Sequence, residues 1–318
     1  MGTIQMDLGK EEAADHGGGI DEAALLYGGS PADWLDLSTG INPIAYEFQA
    51  LEQNNWQRLP SGILQAELCA AARTFWQVPG DSDVIVTPGL SAVIAILPHL
   101  LAARSFTIRK PAYNEYERAF RSAGLPTGTD VDIIIHPNNP DGVLSRPAPM
   151  AGRYRIIDES FCDLSPSASR IREAALPGHL VLKSFGKFWG LAGLRLGFVI
   201  GDPALVADLK RRLGPWPVSG PALRIGLAAL TDRGWADVAR QRLQTDAERL
   251  DMLFTAKGAR LVGGTSLFRL YDVGAAADWY DRLARQTILT RIFPYSATWL
   301  RVGLPGTQAE WSRLEAAL

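Results

Sequence analysis

The sequence has little cysteine, little net charge and no long apolar segment. Of its 318 residues only Cys69 and Cys162 are cysteines, and they form no CxxC pair. This scarcity predicts a cytoplasmic protein without disulfides or a cysteine-bound metal. The net charge of -2 offers no basic surface to nucleic acid or to an anionic membrane. The most apolar stretch, residues 92–103, is too short to span a bilayer, and the N-terminus shows no signal-peptide pattern.

Short apolar runs alternate with helical patterns in the first two thirds of the chain. Helices are predicted at residues 91–103 and 115–123. Strands are predicted at residues 83–86, 106–109, 131–135, 154–157, 180–183 and 197–200. Short buried strands flanked by helices predict an α/β fold, with a mostly parallel sheet covered on both faces.

A cluster of proline and glycine at residues 214–221 interrupts a long helical stretch and indicates a domain junction. Beyond it, a small α+β domain is predicted from helices and short strands. Its predicted strands lie at residues 260–262, 267–271, 288–292 and 299–302, with helices at 276–285 and at the C-terminus. We therefore predict an N-terminal arm or small-domain segment at 1–45, a large domain at 46–214 and a small domain at 215–318.

The strongest chemical pattern is a lysine set among small and apolar residues. Lys187 follows a predicted strand within the pattern S-x-x-K-x7-R-x-G, which starts at Ser184 and includes Arg195. Lysine becomes a nucleophile when desolvation or a neighbouring cation lowers its pKa. The serine hydroxyl and the arginine fork suit a single phosphate group. A lone lysine at a strand end usually points to solvent, but the complete pattern favours a functional site.

This segment resembles the cofactor-lysine signature of fold-type I pyridoxal-phosphate enzymes, in the class I and II aminotransferase branch. The resemblance implies a large domain that binds pyridoxal 5'-phosphate and a small α+β domain. It also implies that Lys187 holds the cofactor aldehyde covalently, and that Ser184 and Arg195 bind the cofactor phosphate.

Other landmarks of this family follow in the family order. In the T-P-G-L-S turn, Gly89, Leu90 and Ser91 would bind the cofactor phosphate at a helix N-terminus. Tyr113 of P-A-Y would stack on the pyridine ring, although a lone tyrosine is more often simple packing. In H-P-N-N-P-D-G, which is also a good turn sequence, Asn139 would bond the 3-oxygen.

Two charged landmarks complete the set. Asp158, in D-E-S-F, would pair with the pyridine nitrogen and keep it protonated, which makes the ring an electron sink. Arg301, in W-L-R-V-G, would bind the substrate carboxylate. Both assignments are implied by the resemblance. Without it, an arginine such as Arg301 would more often be a surface charge.

The N-terminal sequences H-G-G-G-I and L-D-L-S-T-G-I-N-P resemble the opening of threonine-phosphate decarboxylases of cobalamin biosynthesis. This resemblance implies decarboxylation of L-threonine O-3-phosphate to (R)-1-amino-2-propanol O-2-phosphate, by a homodimer. His16, Gly17 and Asn42 would contact the substrate, with Arg291 as a further candidate for its phosphate. The alternatives are an aminotransferase of the histidinol-phosphate or aromatic type, and a non-enzymatic sensor domain of a regulator. A sensor is disfavoured because no helix-turn-helix candidate precedes the domain.

Several residues depart from the family pattern. Leu59 stands where relatives have a tyrosine that touches the partner subunit's cofactor phosphate, and Phe161 lacks a phenol found in aminotransferases. Gly19 and Gly40 replace asparagines, and Asp141 replaces a threonine. These changes leave the fold expectation intact and leave room for a different substrate.

Overall fold

The computed structural model describes residues 16–318. They form two compact units: unit 1 comprises residues 16–43 and Gln244–Leu318, and unit 2 comprises Ile44–Leu243. The predicted α/β fold is confirmed, since helices accompany a mixed sheet whose strands are mostly parallel. Within the described residues, no helix has both the length and the apolar character needed to cross a membrane.

The regular elements are numbered along the chain. The helices are α1 (Ile20–Tyr27), α2 (Asn54–Gln57), α3 (Gly62–Trp76), α4 (Leu90–Leu100), α5 (Asn114–Ser122), α6 (Pro203–Leu213), α7 (Gly220–Thr231), α8 (Arg233–Ala256), α9 (Ala276–Ala284) and α10 (Gln308–Ala317). The strands are β1 (Leu35–Asp36), β2 (Asp83–Thr87), β3 (Phe106–Ile108), β4 (Val131–Ile135), β5 (Tyr154–Asp158), β6 (His179–Ser184), β7 (Gly197–Gly201), β8 (Arg260–Thr265), β9 (Phe268–Asp272), β10 (Ile288–Leu289), β11 (Arg291–Phe293) and β12 (Ser296–Gly303).

Unit 2 is built on a six-stranded sheet with the order β2-β7-β6-β5-β4-β3. Strands β3 to β6 run parallel to one another, and β7 is antiparallel to both β2 and β6. The apolar runs of β4 and β6 suit a sheet covered on both faces. One face buries Ile133, Ile156 and Leu182 in a core cluster with Val93 of α4 and Phe120 of α5. This packing fixes the strand ends that carry the candidate site.

Side-chain caps mark the starts of four helices. Ser61, Asp202 and Ser219 accept hydrogen bonds from the first-turn N–H groups of α3, α6 and α7. Thr307 and Glu310 form a capping box at α10. Such caps satisfy N–H groups that a helix leaves without an internal partner, so these polar residues set where the helices begin.

Unit 1 contains an antiparallel sheet with the order β11-β12-β9-β8 and a parallel pair of β1 with β10. The single strand predicted at 288–292 is in fact two strands. Ile288–Leu289 pairs with Leu35–Asp36, whereas Arg291–Phe293 pairs with β12, so the chain changes partner at Thr290.

The boundary between the units lies between Leu243 and Gln244, inside α8. The junction predicted at residues 214–215 falls within unit 2, where it separates α6 from α7. An unbroken helix has no turn residue at the boundary, so the sequence offers no pattern there. The division into a cofactor domain and a small domain stays a prediction.

Candidate active site

One edge of the unit 2 sheet brings two of the predicted motifs together. Thr87, at the end of β2, and Ser184, at the end of β6, both pair with Gly197, the first residue of β7. Neighbouring strands lie about 4.8 Å apart, so the two residues flank Gly197 on either side. The T-P-G-L-S turn and the lysine loop therefore leave the sheet at the same edge.

A cradle suited to an anion forms at this edge. Gly89 precedes α4 with φ +76°, and a Cβ there would lie 2.8 Å from the Nη2 atom of Arg195. The arginine thus packs against bare backbone at the start of a helix, where the N–H groups of Leu90 and Ser91 and the helix dipole favour negative charge. Arg195 itself has φ +52°, a conformation that is uncommon for a non-glycine residue. These residues fit the phosphate of pyridoxal 5'-phosphate.

Lys187 lies in a turn anchored by aromatic side chains. Phe185, Phe188 and Trp189 are completely buried around it. The Phe185 and Trp189 rings stack at 5.3 Å, and Trp189 stacks on Trp235 at 5.2 Å. Lys187 is half-buried between these anchors. The apolar residues of the motif therefore hold the turn, and the role of Lys187 as the cofactor lysine stays a prediction.

The neighbouring lysine of β6 has a different environment. Lys183 is buried, with its Nζ atom 2.5 Å from Glu159 Oε2 and 3.7 Å from Asp163 Oδ1. Burial alone would lower the pKa of Lys183, but the two carboxylates outweigh it and raise that pKa. Lys183 therefore stays protonated and is unsuited to act as a nucleophile.

Asp158 ends β5 and is held by three hydrogen bonds. Its Oδ1 atom accepts from the Ser160 N–H at 2.8 Å and the Ser160 hydroxyl at 2.5 Å, and its Oδ2 atom accepts from the Tyr116 hydroxyl at 2.7 Å. Burial raises the pKa of this carboxyl, while the bonds from Ser160 and Tyr116 and the charge of Lys187 oppose that rise. A buried carboxylate with this support suits a cationic partner such as a protonated pyridine.

The loops that carry Tyr113 and Asn139 are joined to each other. The Nδ2 atom of Asn138 donates to the Pro111 carbonyl at 2.9 Å and to Asp141 Oδ1 at 2.7 Å. Tyr113 and Asn139, each half-buried, belong to these two joined loops of unit 2.

Two departures from the family pattern have visible structural consequences. Asp141, the aspartate in place of threonine, also accepts from the Val143 N–H and so supports its own turn. Phe161 is buried, with its ring centre 5.8 Å from Lys187 Nζ. Asp141 therefore stabilises its turn, and Phe161 contributes to the apolar surroundings of Lys187.

In unit 1, Ser38 connects Arg301 to the glycine-rich loop. The Nη2 atom of buried Arg301 donates to the Ser38 carbonyl at 2.6 Å, and the Gly18 N–H donates to the Ser38 hydroxyl at 2.7 Å. A Cβ at Gly17 would overlap the Ser38 carbonyl, so this close approach requires glycine. His16 is exposed at the start of this loop.

Arg291 and Arg301 are direct partners across the β11–β12 pair. Burial, together with the nearby charge of Arg291, lowers the pKa of Arg301 to about 9. Both arginines remain charged at neutral pH, so this part of unit 1 concentrates positive charge. Asn42, the other predicted substrate contact, is buried in the same unit.

His136, Glu159 and Cys162 place potential metal-ligand atoms within 4.8 Å of one another. However, His136 Nε2 lies 2.8 Å from the Ala168 carbonyl, and His136 Nδ1 accepts from the Ser145 N–H. Both ring nitrogens are thus engaged in protein hydrogen bonds, and the group serves as a structural network.

Tyr116 and Ser160 are not among the predicted site residues, although both donate hydrogen bonds to the Asp158 carboxylate. Tyr116 belongs to no motif. Its only sequence indication is the four-residue spacing to Phe120, which places both rings on the buried face of α5.

Comparison with known proteins agrees with this geometry. Residues 133–318 match the family described as aminotransferase class I and II. The structure of histidinol-phosphate aminotransferase from Sinorhizobium meliloti in complex with pyridoxal-5'-phosphate matches with a TM-score of 0.77 and 15% identity, covering 95% of this chain and 93% of that one. At this identity the likeness shows the fold alone. The chain belongs to the class I and II aminotransferase family, and its cofactor is pyridoxal 5'-phosphate.

Two curated relatives narrow the assignment. Threonine-phosphate decarboxylase from Sinorhizobium sp is 41% identical over 95% of this chain and 97% of its own length. Threonine-phosphate decarboxylase from Pseudomonas aeruginosa is 38% identical over 96% and 97% respectively. Within the family, the chain therefore groups with the threonine-phosphate decarboxylases, which confirms the resemblance found in the sequence.

Proposed function

We propose that this protein is a decarboxylase that converts L-threonine O-3-phosphate to (R)-1-amino-2-propanol O-2-phosphate for cobalamin biosynthesis. The nearly full-length similarity to two threonine-phosphate decarboxylases supports this reaction. The observation in the structure that carries the proposal is the cross-strand pair of Arg291 and Arg301. The proposed substrate has two anionic groups, and two guanidinium groups on adjacent strands match that charge.

The cofactor residues are assigned to unit 2. Lys187 binds the aldehyde, Asp158 pairs with the pyridine nitrogen, Tyr113 stacks on the ring and Asn139 bonds the 3-oxygen. The cofactor phosphate is assigned to Gly89, Leu90, Ser91, Ser184 and Arg195. The Gly89–Arg195 cradle supports the phosphate assignment, and the three hydrogen bonds to Asp158 support its role as a fixed anion.

The substrate residues are assigned to unit 1. Arg301 takes the α-carboxylate, while Arg291 and His16 take the side-chain phosphate, with Gly17 and Asn42 beside them. The bond between Ser38 and Arg301 supports a fixed guanidinium orientation. A fixed carboxylate matters because the substituent of Cα held perpendicular to the cofactor ring is the one that leaves.

Bound pyridoxal 5'-phosphate supplies an electron sink for the pair of electrons left when a bond at Cα breaks. Asp158 keeps a proton on the pyridine nitrogen throughout. Once CO₂ has left, the Lys187 ammonium would deliver a proton to Cα, and the neutral Lys187 amine that results would bind the aldehyde again as the product amine leaves. The residues that hold the two anions thus select loss of the carboxylate over loss of the Cα hydrogen.

We also propose a cytoplasmic homodimer. Five large apolar side chains are exposed within residues 44–63, namely Ile44, Phe48, Trp56, Leu59 and Ile63. Such a concentration on one segment is typical of a subunit interface. Light scattering should give the mass of two chains, and a fully active monomer would contradict the proposal.

A product assay tests the proposed reaction. L-threonine O-3-phosphate should yield CO₂ and aminopropanol phosphate without any keto acid, and free L-threonine should be a far poorer substrate. Comparable turnover of free threonine would refute the role of the phosphate. Turnover that requires a keto acid would show an aminotransferase instead.

A further inference from the structure

Tyr116 occupies a special place on α5. It lies in the first turn of the helix, three residues after Tyr113, and its side chain is completely buried. The ring packs in the core cluster of unit 2, as a buried aromatic would in any helix. The hydroxyl, however, is directed to a carboxylate at the candidate site. The start of α5 therefore carries two tyrosines of the candidate site. Tyr113 is assigned to stacking on the cofactor ring, and Tyr116 contacts Asp158.

The contacts of Asp158 leave little acceptor capacity unused. A carboxylate has about four lone-pair positions. The N–H and the hydroxyl of Ser160 both donate to Oδ1, and the Tyr116 hydroxyl donates to Oδ2 at 2.7 Å. Burial, followed by the charge of Asp158, raises the pKa of Tyr116 well above its ordinary value, so its hydroxyl remains a donor at any working pH.

We infer that Tyr116 is a positioning residue, whose hydroxyl keeps the Asp158 carboxylate ionised and leaves one oxygen position for the cofactor's pyridine N–H. The inference rests on the proposed role of Asp158. Without the hydroxyl, burial favours the protonated carboxyl, and Oδ2 loses the donor that fixes its direction. A protonated Asp158 cannot stabilise a proton on the pyridine nitrogen, so the electron sink is weakened.

The test compares Tyr116→Phe with Tyr271→Phe in the holoenzyme. Tyr271 is a matched control, because it is also completely buried and its hydroxyl donates to a carboxylate, Asp251 Oδ1, at the same distance of 2.7 Å. Tyr271 belongs to unit 1 and does not contact Asp158. Urea unfolding should show comparable losses of stability in the two variants, since each loses one bond of the same kind.

Only Tyr116→Phe should change the bound cofactor. The acid transition in the visible absorption of the cofactor should move to higher pH, because removing the hydroxyl raises the pKa of Asp158. The other groups that act on this carboxyl, Ser160 and Lys187, remain in place. The cofactor dissociation constant should rise, and kcat should fall about tenfold with a smaller change in KM, as expected for a lost bond to a charged group.

A double-mutant cycle with Asp158→Asn shows whether Tyr116 acts through Asp158. In the Asp158→Asn background, Tyr116→Phe should cause no further loss of kcat or cofactor affinity. An absorption transition and a kcat for Tyr116→Phe equal to those of Tyr271→Phe would overturn the inference, and so would additive effects in the cycle. The absorption and binding measurements need no substrate. They decide the role of Tyr116 even if the protein fails to decarboxylate threonine phosphate.

Discussion

Arg301 lies directly opposite Arg291 on antiparallel strands of unit 1, and Arg301 is almost fully buried. Like charges at directly opposed positions of a sheet destabilise it, and an anion relieves that repulsion. Because a hydrogen bond to a charged group contributes about 1.5–3 kcal/mol, Arg291→Met should lower kcat/KM for threonine phosphate about ten- to hundredfold. The same variant should leave the slow turnover of free threonine nearly unchanged.

Arg301→Met should instead lower kcat/KM for both threonine phosphate and free threonine, because both molecules have the α-carboxylate. Arg260→Met is the control, since Arg260 lies exposed in the same sheet and pairs with Asp272. Steady-state kinetics of the three variants on both substrates separates the roles. Equal losses on free threonine in the Arg291 and Arg301 variants would contradict the assignment of Arg291 to the phosphate.

Lys187 should be the residue that borohydride fixes to the cofactor. Reduction of the yellow protein followed by peptide mapping should place the label on Lys187, and Lys187→Ala should abolish turnover. Lys183 is excluded by its buried ion pair with Glu159, and Lys110 by its exposed pair with Glu117. A label on either of these two lysines would show that the lysine loop has been misassigned.

Asp158→Asn should keep the cofactor bound but slow the reaction. A neutral amide cannot hold a proton on the pyridine nitrogen, so the electron sink is weakened and most of the activity should be lost. Since burial raises the pKa of Asp158 in the cofactor-free protein, binding of pyridoxal 5'-phosphate should weaken with acid at a higher pH than an ordinary aspartate would cause. Near-normal turnover of the variant would remove Asp158 from the mechanism.

Glu159→Gln should destabilise the fold, because it leaves the buried Lys183 ammonium without its nearest carboxylate. Breaking one side of a buried ion pair costs about 3–5 kcal/mol in the free energy of unfolding. Adding Lys183→Met should recover part of that loss. Glu117→Gln, which breaks the exposed pair with Lys110, should cost at most about 1 kcal/mol. Urea denaturation of the apoprotein measures the wild type and these three variants, and equal losses for the two glutamate substitutions would contradict the structural role of Lys183.

Much of the fold follows from the sequence because apolar runs and turn residues are local features. The strand at 131–135 was predicted with its observed bounds, and five further strands of the sheet lie within a residue or two of their predictions. The exchange of partners at Thr290 was not predictable, because β10 and β11 form one continuous run whose pairing depends on distant residues. The unit boundary inside α8 likewise has no local marker.

The candidate site likewise contains some residues that the sequence predicts and others that it does not. Lys187 and Asp158 could be predicted because each lies in a short motif that resembles one of the family. Tyr116 and the Lys183–Glu159 pair could not, since their contacts form across the fold. A general rule could have suggested both: buried tyrosine hydroxyls and buried lysines need partners, and Tyr116 and Lys183 each lie in an apolar pattern.

In the proposed reaction, the bond broken at Cα is the bond to the carboxylate. The most direct measurement is the reaction of L-threonine O-3-phosphate in D₂O, with the product examined by NMR. We predict aminopropanol phosphate that retains the original Cα hydrogen and has gained a single deuterium at the same carbon, delivered in place of CO₂ by Lys187. Loss of the original Cα hydrogen to solvent, with a keto product and no CO₂, would contradict the proposed reaction.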